Sequence, residues 1–266
     1  MPELARFVDM HCHLLPGLDD GPPDWDEALL MAQQAAADGI GTVIATPHHL
    51  GAYRTNDGRT IRARTAHLQE FLNQRNVDLR VLPGAEVRIE PDLVERIRTG
   101  EIMSLADRGR YVLLELPHDV YLPIERLLDD LGRAGLSGVL AHAERNMGIM
   151  AQPSLAESLV AAGCLLQVTA GSIMGTFGPR VEATALHLIR QGIVHCVATD
   201  AHSSKSRRPL MRRTFDRLSE IVGYQAALTL CCRNPAAVLD DGHIEPALGK
   251  SNQSTLGRWF GWKKAG

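Results

Sequence analysis

The sequence predicts a single α/β domain folded as a (β/α) barrel. Short apolar runs rich in β-branched residues alternate with longer amphipathic stretches along most of the chain, which is the pattern of parallel strands joined by helical crossovers. Seven such strand–helix units follow one another without a linker or repeat, and this favours a closed or nearly closed barrel over an open sheet. The length of 266 residues is ordinary for one such barrel.

The individual elements follow from these periodicities. The predicted strands are, in chain order, residues 6–11, 42–46, 80–86, 111–116, 138–142, 165–169 and 194–199. The predicted helices between them are residues 25–38, 59–74, 123–134, 154–162 and 180–191, followed by two closing helices at 208–221 and 225–232. Several helices end at a glycine, as at Asp38-Gly39, which is the usual helix stop. We therefore predict one domain over residues 1–240 and a less ordered C-terminal tail over residues 241–266.

The composition argues against several classes of protein. The net charge is −3, with 28 basic and 31 acidic residues, which lacks the excess of positive charge typical of nucleic-acid binding. No apolar run approaches the roughly 18 residues needed to cross a bilayer, and the first residues lack the order of charges and apolar residues found in a signal peptide. We therefore expect a cytoplasmic protein without a nucleic-acid partner.

The five cysteines argue against thiol chemistry. Their number is odd, they form no CxxC motif, and their apolar surroundings predict buried, reduced thiols. A cysteine phosphatase also needs an arginine at the sixth position after the thiolate. Those positions are occupied here by Leu18, Ala170, His202, Ala237 and Val238. Any phosphatase activity of this chain must therefore come from metal chemistry.

Histidines and carboxylates follow nearly every predicted strand. In a parallel barrel the carboxyl ends of the strands meet at one face, where such folds build active sites. Each residue alone has an ordinary explanation, such as a buried ion pair or a turn, but their joint recurrence at successive strand ends by chance is improbable. The residues in question are His11, His13, His48, His49, Glu86, Glu115, His142, Asp200 and His202.

This set of side chains also indicates which metal ions fit. Imidazole and carboxylate groups without thiolate suit Mn, Fe or Zn, whereas a structural zinc site prefers cysteine. Eight or nine ligands exceed the needs of one ion, so we predict two or three divalent ions that share a carboxylate. Closely spaced ions can hold a bridging hydroxide together with both reacting oxygens, which suits hydrolysis of a phosphoester.

Seven segments carry a pattern that resembles a known family. They are DMHCH at 9–13, LPGLDDG at 15–21, TPHH at 46–49, GAE at 84–86, AHAER at 141–145, AGSIMGTFG at 170–178 and TDAH at 199–202. Together they resemble the PHP (polymerase and histidinol phosphatase) superfamily. More narrowly, they resemble its bacterial manganese-dependent protein-tyrosine phosphatases of the capsule and exopolysaccharide type. The resemblance covers about residues 7–240 and implies a distorted seven-stranded barrel.

The resemblance implies a specific set of metal ligands. A first ion would be held by His11, His13, Glu86 and Asp200; a second by Glu86, Glu115 and His142; and a third by Asp20, His48 and His202. The family pattern selects Asp20 over Asp19 and His48 over His49, whereas the spacing alone leaves both choices open. Manganese is the metal that the resemblance favours.

The resemblance also implies two arginines that bind phosphate. Arg145 matches one of them, and either Arg207 or Arg208 matches the other. We favour Arg208, because it stands next to Pro209. A planar guanidinium matches two phosphate oxygens and can offset charge in the transition state. The other arginines of this segment are expected to form a solvated helix face.

The expected function is hydrolysis of phosphotyrosine by direct attack of a metal-bridging hydroxide, without a covalent enzyme intermediate. By resemblance, the substrate would be a phosphotyrosine protein, in particular a membrane-associated tyrosine autokinase of polysaccharide export. The alternatives are a small-molecule phosphatase acting on a compound like histidinol phosphate, a polymerase-associated exonuclease, and a scaffold that barely turns over. The tail segment RWFGWKK at 258–264 could touch a membrane peripherally, although a loosely packed terminus is the simpler interpretation.

Overall fold

Parallel strands curl into a half-barrel in this protein. The structure, a computed structural model, describes residues 6–248. The strands of that part are β1 Phe7–Cys12, β2 Ile40–Ala45, β3 His48–His49, β4 Arg80–Pro83, β5 Glu86–Arg88, β6 Tyr111–Glu115, β7 Ser137–Leu140, β8 Leu165–Thr169 and β9 Cys196–Ala198. They form a three-stranded sheet in the order β1-β2-β4 and a six-stranded sheet in the order β3-β5-β6-β7-β8-β9. All of these pairings are parallel, as the alternation of strands and helices predicts.

The seven-strand count is not confirmed, because the described residues contain nine strands. The extra strands arise at two breaks in the pairing. One break follows the predicted strand 42–46, and the other divides the predicted strand 80–86 into β4 and β5. Pro47 has no backbone N–H to donate, so β2 and β3 belong to different sheets. Gly84 lies between β4 and β5, and a Cβ there would stand 2.7 Å from the side chain of Ile44. The polypeptide therefore bends at Pro47 and at Gly84. After each bend, the following strand (β3 or β5) still runs toward the same end of the barrel.

The two sheets also meet where β1 runs beside the end of β9. The amide of His13 donates to the carbonyl of Ala201 at 2.9 Å, and the amide of Asp200 donates to the carbonyl of His11 at 2.8 Å. These bonds bring the first and last strands side by side. Residues that are almost 190 positions apart in the sequence thereby share one end of the barrel.

Helices cover the outer face of the strands. Their bounds are α1 Trp25–Asp38, α2 Gly58–Asn73, α3 Leu93–Arg98, α4 Glu125–Arg133, α5 Met147–Ala151, α6 Ser154–Ala161, α7 Ala170–Ile173, α8 Pro179–Arg190, α9 Arg212–Val222, α10 Tyr224–Leu228 and α11 Asn234–Leu239. Helix α1 has the predicted bounds, because Asp24 caps its first turn by accepting from the amide of Glu27 and Gly39 ends it with φ 99°. The short helices α3, α5, α7 and α11 were not predicted, since four to six residues are too few for a clear period. Among the described residues, no helix combines the length and the apolar character needed to span a bilayer.

The chain after α11 closes the end of the barrel at which the strands begin. Ile244 is buried with the apolar side chains that line the inside of the strands. The hydroxyl of Tyr111, at the start of β6, donates to the carbonyl of Gly242 at 2.5 Å, and Asn234 exchanges two hydrogen bonds with the backbone of Glu245. The domain boundary at residue 240 stays a prediction, and the RWFGWKK segment lies outside the described residues.

Candidate metal centre

The carboxyl ends of the strands carry a buried cluster of imidazoles and carboxylates. All nine ligands that the resemblance implies lie in this cluster. Four overlapping groups have donor atoms within 4.8 Å of one another. These groups are His13, Asp20, His48 and His202; His11, Glu86 and His142; His11, His13 and Asp200; and His48, Glu86 and Glu115.

The two histidines at the end of the first strand are held in one orientation by their neighbours. Nδ1 of His11 lies 2.9 Å from Oε1 of Gln167, and Nδ1 of His13 lies 2.7 Å from Oδ2 of Asp19. Both partners are acceptors, so each Nδ1 carries a proton, and in the neutral imidazole each Nε2 is then the nitrogen that can bind a metal ion. The two Nε2 atoms face each other at 3.3 Å. Such an arrangement of two acceptors suits a cation between them.

Two carboxylates complete this first group of acceptors. Oε2 of Glu86 and Oδ1 of Asp200 lie 3.3 to 3.6 Å from the two Nε2 atoms. Burial lowers the pKa of His11, but Glu86 and Asp200 outweigh burial and raise its pKa overall. The negative potential that favours a proton on His11 equally favours a divalent ion at the same point.

Glu86 lies at the centre of the cluster. Its Oε1 is 2.6 Å from Nε2 of His142, and its Oε2 is 3.0 Å from Nδ1 of His48. The carboxylate is almost fully buried, and although Nδ1 of His48 lies close to Oε2, no group among residues 6–248 makes a well-aligned hydrogen bond to that oxygen. A buried carboxylate oxygen without a donor is costly. A cation would remove that cost, and the position of Glu86 between several imidazoles allows it to bridge two ions.

A third group lies closer to solvent. Oδ1 of Asp20 is 3.5 Å from Nε2 of His48 and 3.4 Å from Nε2 of His202. Asp19 plays a different part, because its buried side chain accepts from the amides of His48 and Gly21 as well as from His13. Asp20 therefore faces the imidazoles, while Asp19 orients them.

Unusual backbone conformations aim two of these side chains into the cluster. His142, two residues after the end of β7, has φ 34°, and Asp200, two residues after the end of β9, has φ 51°. Residues other than glycine rarely adopt positive φ, and such strain gathers at functional sites. The turn that each residue makes at its strand end points its side chain toward Glu86 or toward His11.

The sequence analysis missed two residues that support the cluster, Gln167 and Asp9. It considered Asp19 only as an alternative metal ligand to Asp20 and not as a residue that orients His13. Asp9 is fully buried and accepts from the amide and the hydroxyl of Thr199 at 2.9 and 2.5 Å, which ties β1 to the end of β9; burial raises its pKa to about 6. A signal was present, because Asp9 and Gln167 are polar residues inside apolar strands.

Burial and charge also shift the pKa values of other members. Burial, with the charge of Glu86 adding to it, raises the pKa of Glu115 to about 7. Burial lowers the pKa of His142 to about 4. Burial alone would raise the pKa of Asp200, but nearby positive groups, first His11 and then others that include Arg145 and Arg207, lower it below its usual value. The cluster thus keeps His142 neutral and Asp200 ionised at neutral pH, which are the states that bind a metal ion.

Two arginines lie at the edge of the cluster. Arg145 and Arg207 both donate to Oδ2 of Asp200, Arg207 at 2.5 Å. Their guanidinium carbons stand 4.7 and 5.8 Å from the centre of the Phe177 ring. A second hydrogen bond links Arg145 to Nε2 of His118 at 2.8 Å. Arg208, favoured from the sequence, has an exposed side chain and lines the adjoining cavity, so the structure places Arg207 nearer to the cluster.

Comparison with known proteins gives this site a context. Residues 7–240 match the family described as capsular polysaccharide synthesis, CpsB/CapC. The tyrosine-protein phosphatase YwqE of Bacillus subtilis is 39% identical over 203 residues, which cover 76% of this chain and 79% of that protein. The tyrosine-protein phosphatase CpsB of Streptococcus pneumoniae is 27% identical over 242 residues, which cover 88% and 99%.

Solved structures agree with the sequence comparison. One from a study of YwqE and CpsB, described there as metal-dependent tyrosine phosphatases, superimposes with a TM-score of 0.85 and 34% identity, and the match covers 90% of this chain and 97% of that chain. A phosphotriesterase homology protein of Escherichia coli, with a TM-score of 0.58 and 12% identity over 88% of this chain and 98% of that chain, shares the fold alone. The chain therefore belongs to the CpsB/CapC family of capsular polysaccharide synthesis.

Proposed function

We propose that this chain is a metal-dependent protein-tyrosine phosphatase that acts in capsule or exopolysaccharide synthesis. One observation carries the proposal: the Nε2 atoms of His11 and His13 converge with oxygens of Glu86 and Asp200 in a buried pocket. Two guanidinium groups stand beside that pocket. Relatives that align with most of the chain carry the name tyrosine-protein phosphatase.

The residues present fit two or three divalent ions. Histidine nitrogens and carboxylate oxygens, without thiolate, suit manganese, with iron or zinc as alternatives. We assign His11, His13, Glu86 and Asp200 to a first ion. The second ion takes Glu86, Glu115 and His142, and the third takes Asp20, His48 and His202. Bound there, divalent ions supply Lewis-acid chemistry, which polarises a phosphoryl group and makes water acidic enough to act as the nucleophile.

The side chains of the protein bind the substrate and leave attack to water. Arg145 and Arg207 both donate N–H groups to Oδ2 of Asp200. A phosphate dianion that binds here can replace that oxygen as the acceptor and receive hydrogen bonds from both guanidinium groups. No cysteine lies in the cluster, and burial raises the pKa of Cys12, between the two first-strand histidines, well above its usual value. The thiol route is therefore closed, and we propose that water displaces the phenol directly. Tyrosine, with a pKa of about 10, leaves more readily than an alkyl alcohol.

We further propose that the substrate is the phosphorylated tail of a membrane-associated tyrosine kinase of polysaccharide export, reached from the cytoplasm. The description of the family as capsular polysaccharide synthesis supports this context. Dephosphorylation of the purified kinase, compared with an unrelated phosphotyrosine protein, tests the choice of partner. Equal rates on both proteins would contradict it.

The activity is tested with a panel of substrates and with metal analysis. We expect hydrolysis of a phosphotyrosine peptide, with little turnover of histidinol phosphate or single-stranded DNA. A chelator abolishes this activity and Mn²⁺ restores it. The variant Glu86→Gln loses at least one ion per chain by metal analysis. The matched control is Glu90→Gln, a carboxylate that pairs with Arg54 outside the cluster and whose loss leaves the metal content unchanged. Full activity in metal-free protein would refute the proposal.

A further inference from the structure

A cavity of about 240 Å³ adjoins the candidate metal centre. Asp200 and Arg207, which belong to the edge of the metal cluster, also line this cavity. Its other lining residues include the apolar side chains of Phe177, Met174 and Leu210 and, on the polar side, Arg208 and Arg213 with several hydroxyl-bearing residues. We call it the Phe177 cavity. Because it shares residues with the phosphate-binding edge, a group attached to a bound phosphate can reach it directly.

The size and the lining of the Phe177 cavity suit an aromatic ring. A protein cavity of about 150 Å³ lined by apolar side chains is large enough to bind benzene, so this larger cavity has room for a phenyl group. Phe177 offers a ring edge or face, and Met174 offers a polarisable sulfur, both of which pack well against aromatic groups. The guanidinium of Arg207 lies 5.8 Å from the centre of the Phe177 ring, within the range of a cation–π attraction that helps to hold this ring.

The backbone around Phe177 fixes the position of its ring. A Cβ at Gly171 would stand 3.2 Å from Cε2 of Phe177, so the ring packs directly against a backbone without a side chain. The loop that carries Phe177 turns at Gly175 and Gly178, which have φ of 78° and 90°. Residues with side chains adopt these angles only at a cost. The position of the ring is therefore determined by the turn itself as well as by its two arginines.

We propose that the Phe177 cavity is an aryl subsite that receives the tyrosine ring of the substrate while the phosphate lies at the arginines. This inference rests on the proposed function and adds its specificity-determining residues, Met174 and Phe177. A phosphoserine or phosphothreonine side chain is too short to fill the cavity and gains little from the apolar part of its lining. The cavity thus favours phosphotyrosine by binding, in addition to the better leaving group that tyrosine provides.

The test compares two phosphonates on the metal-loaded full-length protein by calorimetry. Benzylphosphonate and methylphosphonate share the same charged group and differ only in the ring. We expect the wild-type protein to bind benzylphosphonate about tenfold more tightly, as partial burial of a phenyl ring implies. Met174→Trp fills the cavity and removes this difference while methylphosphonate binding stays within about twofold. Leu155→Ala, on α6 outside the cavity and the metal cluster, is the control that keeps the tenfold difference.

Two further variants keep the test valid if Met174→Trp does not fold. Met174 is only half-buried, so Met174→Ala is expected to fold and to weaken the preference for the ring about threefold. Phe177→Leu keeps an apolar side chain but removes the aromatic contact, and it lowers the preference as well. Equal affinities of the wild-type protein for the two phosphonates, or a preference that survives all three variants, would overturn the assignment.

A parallel assay on a phosphotyrosine peptide separates this inference from the proposed function. Wild-type protein that hydrolyses the peptide yet shows no preference for benzylphosphonate would refute the aryl subsite and leave the phosphatase activity standing. Wild-type protein that shows the preference, loses it in Met174→Trp, and hydrolyses no phosphotyrosine would refute the proposed function and leave the subsite standing.

Discussion

Replacing Arg207 by alanine is expected to damage the phosphatase far more than replacing its neighbour Arg208. The guanidinium of Arg207 lies 2.5 Å from Oδ2 of Asp200, and only 26% of its side chain is exposed. The side chain of Arg208 is exposed and lines the Phe177 cavity. The two variants remove the same charge from adjacent positions, so a difference between them reports position and not net charge.

The size of the effect follows from the contact that is lost. A hydrogen bond to a charged group contributes about 1.5–3 kcal/mol, which corresponds to about 10- to 150-fold in kcat/KM. Arg145 stays on the same oxygen of Asp200 and retains one guanidinium for the phosphate. We therefore expect Arg207→Ala to lower kcat/KM by about 10- to 50-fold, and Arg208→Ala to lower it by less than about threefold.

The assay is steady-state hydrolysis of a phosphotyrosine peptide by metal-loaded protein, with the metal content of each variant measured in parallel. Arg207→Lys is a useful third variant, because a lysine keeps the charge without the planar pair of donors and should fall between the wild type and Arg207→Ala. Equal losses for both alanine variants would refute the argument from proximity to Asp200. A larger loss for Arg208→Ala would also restore the preference for Arg208 that the sequence suggested.

Three further expectations follow from the structure. Gln167→Leu removes the acceptor 2.9 Å from Nδ1 of His11, so metal affinity in competition with a chelator should fall about 10- to 100-fold; an unchanged affinity would show that the tautomer needs no such partner. Burial raises the pKa of all five cysteines, so iodoacetamide should label the native protein slowly and spare its activity, whereas rapid inactivation would point to a thiol mechanism. Burial lowers the pKa of His195 to about 4. In the unfolded protein His195 therefore binds a proton below about pH 6.5, whereas in the folded protein it stays neutral. The free energy of unfolding should fall between pH 6.5 and 4 by at most about 3 kcal/mol. Urea titration should show a shallower decline in His195→Gln.

The sequence by itself was enough to predict which residues meet. Polar ligand types recur at the ends of apolar runs, and parallel strands must bring their carboxyl ends to one face, so His11, Glu86, His142 and Asp200 could be expected in one cluster. The alternation of strands and helices likewise predicted parallel sheets and most of the long helices. These are local periodicities, and they can be read without knowledge of any distant contact.

Only the tertiary structure decided how those residues are oriented. Whether Nε2 of His11 offers a lone pair depends on Gln167, which is 156 residues away. The roles of Asp19 and Asp20 differ because one is buried against His13 and the other is half-exposed. The breaks at Pro47 and Gly84 divide the sheet in two, which no strand count from the sequence anticipated. Hydrogen-bond partners and burial are set by neighbours distant in the chain, and a local pattern contains no information about them.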